Sequence, residues 1–278
     1  MHAPDCSTRS TGADHQRGDT WCAMEVELGW NVIIILFFLA MLAGFVDALA
    51  GGGGLIVIPV MMLMGFPVLN VLATNKLQGS IGTLTSSLTM MRRGVITFRE
   101  LRVPTLMSFV GACIGTALIQ LIDPSVLDFL IPVVLLAIGL YFLLTPSAGQ
   151  AERAARLGEK PFQYGVVPAI GFYDGFFGPG TGSFFSLANI TLRGMHIVKA
   201  SGAARLFNFA SNVAAVLVFV VGGKILWLAG AVMIGGQIIG AVAGSLMAVR
   251  HGSKLIRPLI VLVCFIMVIR FLLQRFWV

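Results

Sequence analysis

Charged side chains are scarce in this sequence: aspartate, glutamate, lysine and arginine together make up 11% of its 278 residues. The four cysteines and four histidines are scattered without metal-ligand spacing, which argues against a zinc site or a disulfide framework. The nucleophile, metal and nucleotide-binding motifs of soluble enzymes are also missing, so the sequence predicts neither catalysis nor a cofactor. The cations stand in short clusters between apolar segments, which is not the pattern of a nucleic-acid-binding surface.

Apolar residues are abundant instead, accounting for 57% of the chain and giving a mean hydropathy of +0.93. A soluble domain of this size cannot bury so large an apolar fraction, so we predict an all-α polytopic membrane protein. Most apolar segments approach the roughly 20 residues of a spanning helix, whereas the second and seventh are about half as long. The ten predicted segments are 30–50, 54–65, 69–91, 103–122, 126–145, 163–177, 182–192, 198–221, 225–248 and 254–275.

The order of long and short segments occurs twice, and the two halves also align in sequence. Corresponding positions are the stretches 44–54 (GFVDALAGGGG) and 171–181 (GFYDGFFGPGT), Lys76 and Arg205, and the GxxxG pairs Gly111/Gly115 and Gly240/Gly244. Such an ordered series of matches along a nearly constant offset indicates an internal duplication. For the GxxxG pairs we expect close packing of neighbouring helices rather than a binding function.

Equivalent loops of the two halves carry opposite charge bias. The loop after the third segment is basic in the first half, whereas its counterpart in the second half contains only Lys224. The loops after the second and fourth segments are basic in the second half and carry no cation in the first. By the positive-inside rule, the sequence therefore predicts two inverted-topology repeats of five segments, each with four long helices and one short broken helix.

This interpretation divides the chain into four regions. They are a polar N-terminal tail (1–29), a first transmembrane repeat (30–145), a cytoplasmic linker (146–162) and a second transmembrane repeat (163–278). Both termini are expected on the side opposite the linker. Met24, which stands just before the first segment, is an alternative start, with the preceding residues a mis-assigned extension.

A carboxylate followed by a glycine-rich break occurs at the equivalent place in each half. Asp47 precedes AGGGG and Asp174 precedes GPGTGS, and a short helix follows each break. Paired broken helices in inverted halves indicate a transport site, because glycine amides and helix N-termini can face an anion. The amides predicted to surround the anion belong to Gly51, Gly52, Gly53, Gly54, Gly178, Gly180, Thr181 and Gly182.

Lys76 and Arg205 are cations within otherwise apolar segments, and each begins a polar run. A charge inside a membrane costs about 3 kcal/mol or more unless it is paired or functional, so we expect both cations to bind the anion. The neighbouring polar residues predicted to assist them are Asn75, Gln78, Asn208, Ser211 and Asn212. Asp47 and Asp174 would pair with the cations in the absence of substrate, or carry a coupling proton. The alternative is a purely structural salt bridge, and the sequence leaves open which aspartate pairs with which cation.

Four stretches resemble motifs of the sulfite exporter TauE/SafE family of bacterial membrane permeases: GFVDALAGGGGLIVIP, ATNKLQGSIGT, GFYDGFFGPGTGSF and LFNFASNVAA. The resemblance extends over about residues 30–275 and implies a multi-pass transporter of small anions, such as sulfite or organosulfonates, in the bacterial inner (plasma) membrane. One departure is the run Ala203-Ala204-Arg205, where relatives usually carry an Asn-Thr-Lys-like run. The planar guanidinium group of arginine suits oxyanions, so we expect this change to affect selectivity.

Together these features predict a secondary transporter that exports a small anion by alternating access. A monoanion that leaves a negative-inside cell gains about 2.3 kcal/mol per 100 mV, so export needs no coupled ion. The alternatives are an anion channel that uses the same residues, or an importer of another small solute coupled to protons or cations. A membrane-embedded enzyme has the least support. The predicted partners are the small anion and the lipid bilayer, with no nucleic acid and no metal.

Overall fold

In the computed structural model, the described residues are 29–121 and 153–252, together with scattered residues within 140–144 and 254–269. Their regular structure is helical, and no strand occurs among them. The helices are α1 (Trp30–Ala50), α2 (Gly53–Leu63), α3 (Val68–Arg92), α4 (Phe98–Ile119), α5 (Val167–Phe176), α6 (Thr181–Arg193), α7 (Ile197–Val221) and α8 (Trp227–His251). A helical turn, Glu159–Pro161, and a π-helical turn, Phe162–Val166, lead into α5.

These eight helices match eight of the ten predicted segments. Helical structure before α5 begins at Glu159, inside the predicted linker, because an acidic residue and a proline both favour the first turn of a helix. The fifth segment of each half, 126–145 and 254–275, lies largely outside the described residues, as does the polar tail apart from Gly29. The inverted repeat of five segments per half therefore stays a prediction.

Apolar side chains cover the outside of the bundle, whereas its interior contains polar as well as apolar side chains. Helices α1, α4, α7 and α8 are long and apolar enough to cross a membrane. Ile34, Phe38 and Leu42 recur every four residues on one face of α1, and each is more than half exposed. The equally long α3 is more polar, and polar residues such as Lys76 and Gln78 on it are buried. This distribution is that of a helix bundle surrounded by lipid.

Helix α8 packs along α1, and α4 packs along α5, through glycines that let the backbones touch. A Cβ atom at Gly240 would collide with the backbone of Met41, and one at Gly115 would collide with the backbone of Phe172. These glycines belong to the GxxxG pairs, so the prediction of close packing there is confirmed. The two contacts correspond under the predicted repeat, because α1 is equivalent to α5 and α4 is equivalent to α8.

Close neighbours also give the relative directions of the remaining helices. Between α3 and α7, Gly79 lies near Asn212 and Met90 lies near Gly202. Between α3 and α8, Thr74 lies near Gly230 and Gly82 lies near Gln237. Between α4 and α7, Ser108 lies near Phe207 and Gln120 lies near Gly222. Helix α3 is therefore antiparallel to α7, whereas α3 is parallel to α8 and α4 is parallel to α7. An inverted repeat requires these directions.

Each short helix folds back along the helix that precedes it. Gly51 adopts a left-handed φ of +83°, a conformation that favours glycine, and the chain reverses there. Gly53 then lies so close to α1 that a Cβ atom would be 2.9 Å from the carbonyl oxygen of Ala43. In the second half, the ring of Phe184 on α6 packs against Tyr173 on α5, with ring centroids 4.9 Å apart. The result is two helical hairpins, α1–α2 and α5–α6.

The tips of the two hairpins touch each other. A Cβ atom at Gly51 would collide with the backbone of Gly182, so only glycine fits at this crossing. The hydroxyl of Ser183, which follows Gly182, donates a hydrogen bond of 2.6 Å to the carbonyl oxygen of Ala50. The two glycine-rich breaks therefore form one continuous region between the halves.

Candidate functional site

Four charged side chains are buried where the hairpin tips meet. Asp47, Lys76, Asp174 and Arg205 are each at most 7% exposed. The Nζ atom of Lys76 lies 2.7 Å from Oδ1 of Asp174, and Nη1 of Arg205 lies 3.6 Å from Oδ1 of Asp47. Each carboxylate therefore neutralises the cation of the other half, which answers the question of pairing that the sequence left open.

The glycine breaks place the carboxylates beside the cations. Asp47 lies in the last turn of α1, and its Oδ1 accepts a hydrogen bond of 3.3 Å from the backbone N–H of Gly53. This amide belongs to the first turn of α2, where N–H groups lack partners within the helix and favour a negative charge. In the other half, a Cβ atom at Gly178 would lie 2.6 Å from Nζ of Lys76, so the absence of a side chain makes room for the ammonium group.

A small polar cavity of about 30 Å³ lies beside these ion pairs. One water molecule needs roughly 10–15 Å³ of such space, so the cavity is large enough for a small polar group. Its lining consists of two charged groups, five amide side chains and six glycines: Asp47 and Lys76; Asn75, Gln78, Asn208, Asn212 and Gln237; Gly51, Gly53, Gly54, Gly79, Gly178 and Gly180. Ammonium, amide and backbone N–H donors are the groups that bind anions in proteins.

Six predicted site residues do not line the cavity: Gly52, Asp174, Thr181, Gly182, Arg205 and Ser211. The hydroxyl of Thr181 donates to the carbonyl oxygen of Gly178 at 2.6 Å, and that of Ser211 donates to the carbonyl oxygen of Asn208 at 3.1 Å. Serine and threonine commonly bond to their own backbone in membranes, which is why these two hydroxyls are not directed at the site. Asp174 and Arg205 contact the site through their ion-pair partners.

Two residues of the lining were not predicted from the sequence, Gln237 and Gly79. Gln237 lies in the middle of α8 and is 1% exposed, and glycine at Gly82 on α3 leaves room for its side chain. A single amide in an otherwise apolar helix is the signal that could have identified it. Gly79 lies against the amide of Asn212, where it allows α3 and α7 to approach closely.

Two clusters of apolar side chains lie on opposite sides of the cavity. The first apolar cluster includes Leu49, Leu55, Met90, Phe185 and Phe207. The second apolar cluster includes Leu36, Val57, Met61, Val71 and Phe219. Helix α3 contributes to the second cluster near its start and to the first near its end, so apolar packing lies on both sides of the cavity along this helix.

The chemistry of the site is that of charges and amides. Among the described residues, no group of three or more histidine, cysteine, aspartate or glutamate side chains is placed to hold a metal ion. A bundle of membrane-length helices with a buried polar cavity between two broken helices is the architecture of a membrane transporter.

The chain belongs to the sulfite exporter TauE/SafE family, whose sequence model matches residues 36–271. A "Probable membrane transporter protein" of Haemophilus influenzae is 43% identical over 252 residues, which cover 91% of this chain and 99% of that relative. The "Probable membrane transporter protein YfcA" of Escherichia coli K12 is 45% identical over 233 residues, covering 84% and 87%. The "Probable membrane transporter protein ORF9" of a Sinorhizobium species is 44% identical over 246 residues, covering 88% and 94%. No solved structure matches the chain significantly.

Proposed function

We propose that the protein exports a small anion, sulfite or an organosulfonate-type oxyanion, across the bacterial inner membrane. The observation that carries this proposal is the buried cavity between the two glycine breaks. Its lining includes Lys76, five side-chain amides and six glycines, and Arg205 contacts the lining residue Asp47. Donors of this kind in a water-poor site bind an oxyanion by charge-assisted hydrogen bonds.

We further propose that transport proceeds by alternating access rather than through a continuous pore. Apolar clusters pack on both sides of the cavity, and the four buried charges are each at most 7% exposed to solvent. A channel needs a path that is open from end to end, whereas a carrier needs a central site that is closed on at least one side. The pairwise equivalence of the helix contacts supports a movement of one half against the other.

A reconstituted flux assay tests this function. Proteoliposomes that contain the purified protein and are loaded with sulfite should release it faster than protein-free liposomes, with a rate that saturates. Lys76→Gln and Arg205→Gln should each weaken sulfite binding about a hundredfold, because each charge-assisted hydrogen bond is worth about 1.5–3 kcal/mol. Arg102→Gln is the matched control, since this arginine is exposed on α4 and does not line the cavity.

Two results, one electrical and one from the flux assay, would contradict the proposal. Discrete unitary currents in planar bilayers would favour the anion channel. Flux of sulfite and methanesulfonate no faster than in protein-free liposomes, measured with protein shown to be folded, would reject the anion function.

One observation favours a second candidate, a transporter coupled to protons. The carboxylate of Asp47 lines the cavity and is the only acidic side chain among its lining residues. A carboxylate at the wall of a buried site can bind a proton together with a transported solute. Acidification or alkalinisation that accompanies solute flux, followed with a pH-sensitive dye inside the liposomes, would support this candidate over simple anion export.

A further inference from the structure

The two ion pairs of the site differ, although they occupy equivalent positions in the two halves. Lys76 and Asp174 make a direct contact of 2.7 Å, whereas Arg205 and Asp47 are 3.6 Å apart. Arg205 is completely buried, yet its Nε, Nη1 and Nη2 atoms have no hydrogen-bond partner among the described residues. A buried guanidinium group normally donates hydrogen bonds to acceptors. We therefore expect the N–H groups of Arg205 to bind an oxyanion that can come closer than Asp47 does.

The carboxylate of Asp47 adjoins both Arg205 and the cavity. Asp47 lines the cavity, Arg205 does not, and the two side chains are adjacent. Besides its contact with Arg205, the same Oδ1 atom accepts a hydrogen bond from the backbone N–H of Gly53 at the start of α2. A guanidinium group and a helix N-terminus are donors that an oxyanion would use, and Asp47 engages both of them.

We propose that Asp47 is a built-in competitor of the transported anion. The anion reaches Arg205 by displacing the carboxylate of Asp47, and the return of that carboxylate expels the anion. Asp174 has no such function, because it is not part of the cavity lining, and its contact with Lys76 joins the two halves. This inference rests on the proposed anion transport. It assigns different functions to Asp47 and Asp174, although the two aspartates occupy equivalent positions in the predicted repeat.

Binding measurements on the full chain in detergent test the inference. Sulfite and methanesulfonate are titrated calorimetrically into the wild-type protein, Asp47→Asn and the repeat-equivalent control Asp174→Asn. Without the competing carboxylate, Asp47→Asn should bind the anions roughly tenfold more tightly, a typical size for coupling between two binding events. Asp174→Asn should bind them no more tightly than the wild type. In proteoliposomes, Asp47→Asn should release sulfite more slowly, because nothing then expels the bound anion.

Unchanged or weaker binding by Asp47→Asn would overturn the inference, and so would equal tightening by both variants. If Asp47→Asn does not fold, Asp47→Ser provides the same test, since it also removes the competing carboxylate. Absence of binding by the folded wild type and by both variants would reject the anion function together with the inference. Binding by the wild type without tightening in Asp47→Asn would reject the inference alone.

Discussion

At the scale of single residues, the site is governed by the cost of unpaired charge. Removing one member of a buried ion pair leaves an uncompensated charge and costs about 3–5 kcal/mol, whereas removing both members is often nearly neutral. Loss of activity after one substitution in Lys76, Asp174, Asp47 or Arg205 therefore does not separate a binding function from a structural one. Double substitutions separate the binding function from the structural one. The residues to combine follow from the crossed pairing, in which the carboxylate of each half pairs with the cation of the other half.

The crossed pairing predicts strong coupling between Lys76 and Asp174 and weak coupling between Lys76 and Asp47. Lys76→Gln and Asp174→Asn should each lower the unfolding temperature, and the double variant should regain most of the loss, because neighbouring groups couple by about 0.5–3 kcal/mol. In Lys76→Gln with Asp47→Asn, the double variant should regain much less of the combined loss, because these two side chains do not form an ion pair. Thermal unfolding of the purified wild type, single variants and double variants measures the coupling within each of the two residue pairs.

Anion transport by these double variants is the accompanying readout. Under the proposed function, the variant that lacks Lys76 and Asp174 is stable but transports poorly, since the ammonium group that faces the cavity is gone. Recovery of wild-type transport in that variant would show that the pair is only structural. Additive losses for Lys76 and Asp174 would instead contradict the crossed pairing.

At the scale of helices, the positions of the elements follow from hydropathy and glycine content. The apolar runs predict where α1 to α8 lie, and the glycine-rich breaks after Asp47 and Asp174 predict where α1 and α5 end and the short helices begin. The polar run that begins before Lys76 likewise identifies α3 as the polar helix of the bundle. These features depend on neighbours in the sequence and can therefore be predicted from it.

Other features of the site depend on contacts between distant segments. The crossed ion pairs join α3 to α5 and α7 to α1, which are contacts between distant segments that no local pattern specifies. Gln237 enters the cavity because the glycine at Gly82 on another helix makes room for it. Whether a hydroxyl such as that of Ser211 faces the site or its own backbone is decided by rotamers, so the residue type alone predicts it poorly.

The backbone contact at Gly240 predicts that a side chain there separates α8 from α1. Gly240→Leu should lower the unfolding temperature markedly, because overpacking costs about 1–3 kcal/mol and the obstacle here is backbone. Gly165→Leu is the matched control, since a Cβ atom at Gly165 meets nothing within 4 Å and the residue is exposed. Thermal unfolding in detergent compares the two, and equal stability of both variants would contradict the close packing of α1 with α8.

At the scale of the whole molecule, each half is incomplete without the other. The carboxylate of each half pairs with the cation of the other half. The hairpin tips touch at Gly51 and Gly182, and residues of both halves line the cavity. Relative movement of the halves therefore acts directly on the ion pairs at the centre. Binding of an anion at that point can be coupled to such a movement, because an anion changes which charges attract each other.

The sidedness of the molecule gives the last prediction. Helices α3 and α7 are antiparallel, so the equivalent loops that follow them lie at opposite ends of the bundle. The first of these loops is basic, and the second contains only Lys224, so we expect the first to face the cytoplasm. In a variant without native cysteines, Arg93→Cys and Arg156→Cys should be protected from an impermeant thiol reagent in intact cells, whereas Lys224→Cys should react. Arg156 adds an independent point, because it lies in the predicted cytoplasmic linker between the halves. Labelling of Arg93→Cys and Lys224→Cys from the same side would refute the inverted arrangement. Labelling of Arg93→Cys alone would show that the protein has the opposite orientation in the membrane.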